Sequence, residues 1–112
     1  MALDIDGILK AMVTAGQGLA GTVWQDIQVY AVPELKKIAT QIEAIETAML
    51  QPNPPYTQEG AKVLLNMQIT ASVGVIVAMT SLTLIAVQTA INTILDSIKT
   101  AVNQAIGFVL IA

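Results

Sequence analysis

The chain contains no cysteine, no histidine and no arginine, and only one phenylalanine, one tryptophan and two tyrosines among its 112 residues. Without cysteine there is no disulfide staple, thiolate metal site or nucleophilic thiol, and the redox compartment stays open. Without histidine the side chain that titrates near neutrality is missing, and with it the commonest general base and zinc ligand. Charge is scarce too. Charged residues make up 12% of the chain and hydrophobic ones 54%, against roughly 25% and 45 to 50% in ordinary soluble domains. The five cations are all lysines, Lys10, Lys36, Lys37, Lys62 and Lys99, and the net charge is −3. One copy offers little to neutralise phosphates, so no specific nucleic-acid contact is expected from it. No nucleophile elbow or metal-ligand spacing is present. The glycine-rich residues 15–21 follow no strand and lack the lysine of a phosphate loop. No cofactor or metal is expected, and the composition points away from an enzyme.

What the sequence does contain is helical periodicity. Ile5, Ile8, Leu9, Met12 and Leu19 recur at helical spacing behind Asp4 and Asp6, either of which can cap a helix start. This predicts a short amphipathic helix over residues 4–20, weakened by Gly16, Gly18 and Gly21 so that it bends or ends there. Over residues 22–50, Trp24, Ile27, Ala31, Leu35, Ile38, Ile42, Ile45 and Met49 advance in steps of three and four. One face of that helix is a packing seam. The other carries Gln25, Lys36, Lys37, Gln41, Glu43 and Glu46 and is expected to meet water or a polar neighbour. Pro33 removes a backbone donor and predicts a kink. Residues 51–56, with three prolines and Asn53, read as the turn of a helical hairpin.

From Thr57 onward nothing clearly stops a helix, and a single long apolar helix over residues 57–112 would span about 80 Å at a rise of about 1.5 Å per residue. Residues 63–95 hold no ionisable side chain. Within them, residues 69–87 carry only the hydroxyls of Thr70, Ser72, Thr80, Ser81 and Thr83 as polar groups, and these can bond to their own helix carbonyls. Such a window is long enough to cross a bilayer, which needs about 20 apolar residues. Further on, Gln88, Asn92, Asp96, Lys99 and Asn103 form a polar stripe opposite Val87, Ile91, Ile94, Leu95, Ile98, Val102, Ile106 and Val109, the pattern of a packed amphipathic helix. The closing residues 106–112 are apolar and are expected to insert into a neighbouring subunit or a lipid layer.

Several residues invite a functional reading beside a structural one. The small pairs Gly74/Ala78 and Ala86/Ala90 have the spacing of close-packed helix faces, and with Trp24, Ile38, Ile42 and Ile45 they form the expected helix-packing interface. Glu43 and Glu46 can present two carboxylates on one helix face, as acid/base or metal sites do. With no histidine available and Lys36 and Lys37 nearby, they read instead as a solvated face. Asp96 and Lys99 are three apart and are expected to pair along the helix; a proton relay through Asp96 is the alternative. Tyr56 beside the turn is a candidate for an interfacial aromatic, whereas Trp24 is explained equally by the core. Acids at positions 4 and 6, where a secretory signal carries cations, suggest that the mature chain starts at or near Met1.

The helical hairpin around residues 51–55, the low charge and the long apolar helix resemble the small hydrophobic helical coat proteins of archaeal spindle-shaped viruses and membrane-associated structural proteins of lipid-containing phages. The resemblance covers the whole chain in architecture. It implies a coat subunit that tiles a shell or tube by burying apolar helices against copies of itself, with or without lipid. The sequence thus predicts an all-α fold, a helical hairpin with an N-terminal amphipathic helix and a long hydrophobic C-terminal helix, in a self-assembling structural protein of a virion. The competing class is a holin-like or pore-forming integral membrane protein, in which Gln88, Asn92, Asp96 and Asn103 line water.

Overall fold

Asp4 opens the first helix, its carboxylate accepting from the backbone N–H groups of Asp6 and Gly7 at 3.3 and 3.2 Å, two of the donors that a helix start leaves unpaired. The computed structural model describes residues 3–112. Four helices follow one another: α1 (Ile5–Gln17), α2 (Val23–Met49), α3 (Gln58–Met79) and α4 (Leu84–Ile106). No strand occurs among the described residues, so the fold is all-α.

Gly16, in the last turn of α1, has a packing role. The Trp24 ring at the start of α2 lies on Gly16, where an added Cβ would collide with the ring carbons. A bare backbone at that position lets the ring close over the end of α1, and Trp24 is buried as a result. α2 runs unbroken through Pro33, which lies on the exposed side of the helix. The carbonyl that proline leaves unpaired is that of Val29, an exposed residue that water can reach. The seam residues Trp24, Ile27, Ala31, Leu35, Ile38, Ile42 and Ile45 are all buried.

The single long helix expected over residues 57–112 does not form. It is broken at residues 80–83, and α4 folds back. Thr80 is extended (φ −126°, ψ 174°); its hydroxyl donates to the Ile76 carbonyl at 2.8 Å and accepts from Leu82 N–H at 3.3 Å. Thr83 then caps α4, its hydroxyl accepting from Ala86 N–H at 3.1 Å. Thr80 thus bonds back to a carbonyl of its own helix, as expected, but the same hydroxyl also accepts from the turn, and the Thr83 hydroxyl starts the next helix.

Contacts at the helix ends fix the topology. Leu3 N–H, just before α1, donates to Glu46 Oε1 near the end of α2 at 2.8 Å, while Gly16 and Trp24 meet at the opposite ends, so α1 and α2 are antiparallel. Ala15 and Leu19 lie beside Ala86 and Ala90, which places the end of α1 against the start of α4. α3 packs most extensively on α2, and more thinly on α4. The result is an antiparallel four-helix arrangement of 45 × 22 × 20 Å.

The tail also departs from the sequence reading. α4 ends at Gly107, whose φ of +92° is left-handed and whose N–H donates to the Asn103 carbonyl at 2.9 Å, a conformation that glycine adopts without a side-chain penalty. The chain then turns back. Leu110 and Ile111 are buried in their own molecule rather than offered to a neighbour. Asn103 holds them: its Oδ1 accepts from Leu110 N–H and Ile111 N–H, and its Nδ2 donates to the Ile111 carbonyl, at 2.9 to 3.0 Å.

Candidate functional site

α3 packs its inner face on α2 and α4 and leaves a largely apolar outer face uncovered. Thr57 caps it by accepting from Gly60 N–H at 3.0 Å, and Glu59 pairs with Lys62 at 3.1 Å in its first turn. Lys62 is the last charge on the helix. From there the inner face, Leu65, Ser72, Val73 and Ile76, is buried, with Gln68 Nε2 donating to the Ser72 hydroxyl at 3.1 Å to satisfy the one polar group within it. The outer face is largely apolar as well, with the exposed Asn66 beside Val63 and Met67. Val63, Met67, Val75 and Met79 are 40 to 63% exposed, and the small residues Thr70, Ala71, Gly74 and Ala78 lie exposed among them. Past the break, Leu84 and Ile85 extend the apolar surface, Ile85 at 75% exposure. Large exposed apolar patches mark interaction sites.

The expected interface residues divide between two locations. Gly74 and Ala78 lie on this outer face, and a Cβ at Gly74 would meet nothing within 4 Å. Ala86 and Ala90 instead sit against the end of α1, next to Ala15, Gly18 and Leu19. Trp24, Ile38, Ile42 and Ile45 are enclosed in the core. In the polar stripe, Gln88, Asn92 and Asp96 are exposed, Lys99 is half-buried, and Asn103 serves the tail. The pair expected between Asp96 and Lys99 is not formed: the ion pairs among the described residues are Glu34–Lys37 and Glu59–Lys62.

Glu46 was expected on the polar face and is buried instead. One carboxylate oxygen accepts from Leu3 N–H and the other has no partner among the described residues. Glu34 is buried too, with Lys37 Nζ at 2.8 Å. Helix periodicity alone places both acids at the margin of the seam; Leu3, just before α1, meets Glu46 near the end of α2, a contact between residues 43 apart that no local signal encodes. Glu43 and Glu46 hold no metal constellation, and no group of three or more metal-binding side chains occurs among the described residues.

A cleft of about 420 Å³ lies where α3 and α4 separate, floored by Leu65, Ile69, Leu95 and the tail residues Leu110 and Ile111, and rimmed by Lys62, Asn66, Asn92 and Asp96. Lys62 is already engaged by Glu59. The lining has no hydroxyl nucleophile and no base within reach of one, so it offers none of the pairings that acyl or phosphoryl transfer uses. No known protein family, curated protein or solved structure matches the chain.

Sequence reasoning missed the break at residues 80–83. The signal was a Thr-Ser-Leu-Thr run with a capping hydroxyl three residues before Ala86. Neither glycine nor proline accompanies it.

Proposed function

We propose that this chain is a non-enzymatic, self-associating structural subunit that joins copies of itself through the outer face of α3. The observation that carries the reading is the largely apolar surface of Val63, Met67, Ala71, Gly74, Val75, Ala78 and Met79, uncharged along its length, with Asn66 and Thr70 as polar groups within it. A glycine inside a helix costs roughly 1 kcal/mol relative to alanine, and within one copy nothing approaches Gly74 to compensate. A second helix does, because small residues let helix axes come close while Val63, Met67 and Met79 interdigitate around them. A second copy suits the face because two uncharged faces meet without burying an unpaired charge. In the coat-subunit reading, repetition of this contact, together with others, builds a shell or helical polymer. The test is sedimentation and electron microscopy of the purified protein in plain buffer. Large particles are expected. Met67→Glu with Ala71→Glu should return the protein to monomers of unchanged helical content, and particles that survive both changes would remove α3 from the contact.

One observation favours lipid as the occupant of the same face. α3 is 22 residues long, with a mean hydropathy of 1.6 in its most apolar window, and only 22% of that window is buried; it is long and apolar enough to cross a membrane. In that reading the protein is membrane-associated or pore-forming, and the exposed Gln88, Asn92 and Asp96 face water. Liposome flotation and dye leakage separate the two. Flotation with leakage supports the pore, and particles that neither float nor leak dye support self-association.

A further inference from the structure

The buried positions of α3 and α4 keep one phase across the break. Ser72 and Ala90, Val73 and Ile91, and Ile76 and Ile94 are each eighteen residues apart, which is five full turns at 3.6 residues per turn. All six are buried. The exposed residues Met67, Ala71, Gly74 and Ala78 are followed in the same steps of three and four by Leu82, half-buried against the core, and the exposed Ile85. A loop that served only to reverse the chain would have no reason to preserve that phase.

The break itself is lightly made. None of residues 80–83 is glycine or proline, and none has a positive φ, since that conformation occurs only at Gly21 and Gly107 among the described residues. Three hydroxyl-mediated hydrogen bonds hold the turn. All four residues can enter a helix, where each gains a backbone hydrogen bond in exchange. α4, in contrast, buries eight side chains against the rest of the molecule, so it leaves its place only where an equivalent place is open.

We propose that α4 is exchanged between copies: residues 80–83 straighten, α3 and α4 become one continuous helix, and α4 occupies in a second copy the position it holds in its own. This rests on the self-association reading above and specifies its geometry. The occupant is a second copy because the vacated groove, lined by Ala15, Leu19 and Val23, is already shaped to an α4. Reciprocal exchange closes a dimer, whereas exchange passed from copy to copy makes an open polymer. Straightening also brings Ile85 into line with the α3 stripe, lengthening the apolar face that the first contact uses.

The absence of cysteine makes the test direct. Copies carrying Ala15→Cys are co-refolded with copies carrying Ala90→Cys and treated with a short thiol cross-linker. Ala90 is buried in the folded chain, so a link between the two kinds of chain requires α4 to have left its own molecule. Exchange predicts abundant mixed links and few links between two Ala15→Cys copies. Ser81→Pro, placed in the Ala90→Cys copies, should reduce the mixed links at least tenfold. Proline blocks a continuous helix but suits the turn, because Thr80 is already extended as a residue before proline prefers, and no turn or cap bond uses the Ser81 N–H. Circular dichroism checks that this variant keeps its helices. Thr80→Ala with Thr83→Ala removes the hydroxyls that hold the turn and should raise the mixed links about fivefold. Particles without mixed links would overturn the exchange and leave self-association standing. Monomers alone in sedimentation would overturn both. Mixed links unaffected by either set of variants would show that residues 80–83 do not straighten.

Discussion

Gly16 and Gly74 are both helical glycines, yet they sit in opposite surroundings. The Trp24 ring leaves no room for a Cβ on Gly16, and open space surrounds Gly74. Gly16→Ala gains helix propensity but drives a methyl into a buried aromatic ring, and overpacking of that kind costs about 1 to 3 kcal/mol. Gly74→Ala has no such collision and should stabilise the isolated fold by roughly 0.5 to 1 kcal/mol. Thermal unfolding of the two variants should therefore move the midpoint in opposite directions, and a fall for both would mean that something covers Gly74. Asn103 is the other residue whose role is settled by its neighbours. Asn103→Leu removes the partners of two backbone donors and one acceptor in the tail, each worth about 0.5 to 1.5 kcal/mol net. The expected result is a loss of about 1 to 3 kcal/mol with faster amide exchange at Leu110 and Ile111, whereas unchanged exchange there would show that burial alone holds the tail.

Among the elements, α2 and α3 illustrate two uses of an apolar helix. α2 has a polar side and a seam, and its seam is buried inside one copy. α3 is apolar on both sides and buries only the inner one, so its stability depends more on what lies outside it. The break after α3 is held by hydrogen bonds of the Thr80 and Thr83 hydroxyls. Local opening follows thin packing, and native-state hydrogen exchange should find amides of residues 80–86 at least tenfold less protected than those of Ile38, Ile42 and Ile45. Equal protection would show that the fold-back of α4 is as firm as the core. Thr83→Ala should cost about 1 kcal/mol through loss of the cap, read as a lower midpoint in urea with an unchanged slope.

At the scale of the whole molecule, the exposed apolar band formed by α3 and the start of α4 makes association the expected state. The midpoint of thermal unfolding should rise with protein concentration, as it does when the folded state is stabilised by binding its own kind; a midpoint independent of concentration would mark a stable monomer. Much of this molecule was legible along the chain. The step of three and four in Trp24, Ile27, Ala31, Leu35, Ile38, Ile42 and Ile45 determined a helix with a buried face, because an α-helix returns the same side every 3.6 residues. The lack of histidine and cysteine determined that no thiol or imidazole chemistry is available. The fold-back at residues 80–83 was not legible, because the apolar pattern runs through it in phase: the stripe from Val87 to Ile106 satisfies a straight helix and a returning one equally. Only the space beside α1, open to an α4 that turns back, decides between them. The same holds for the buried Glu46, which Leu3 meets just before α1, and for Leu110 and Ile111, whose place depends on an asparagine one turn before the end of α4. Local sequence sets which face of each helix is apolar, and long-range contacts alone decide what that face meets.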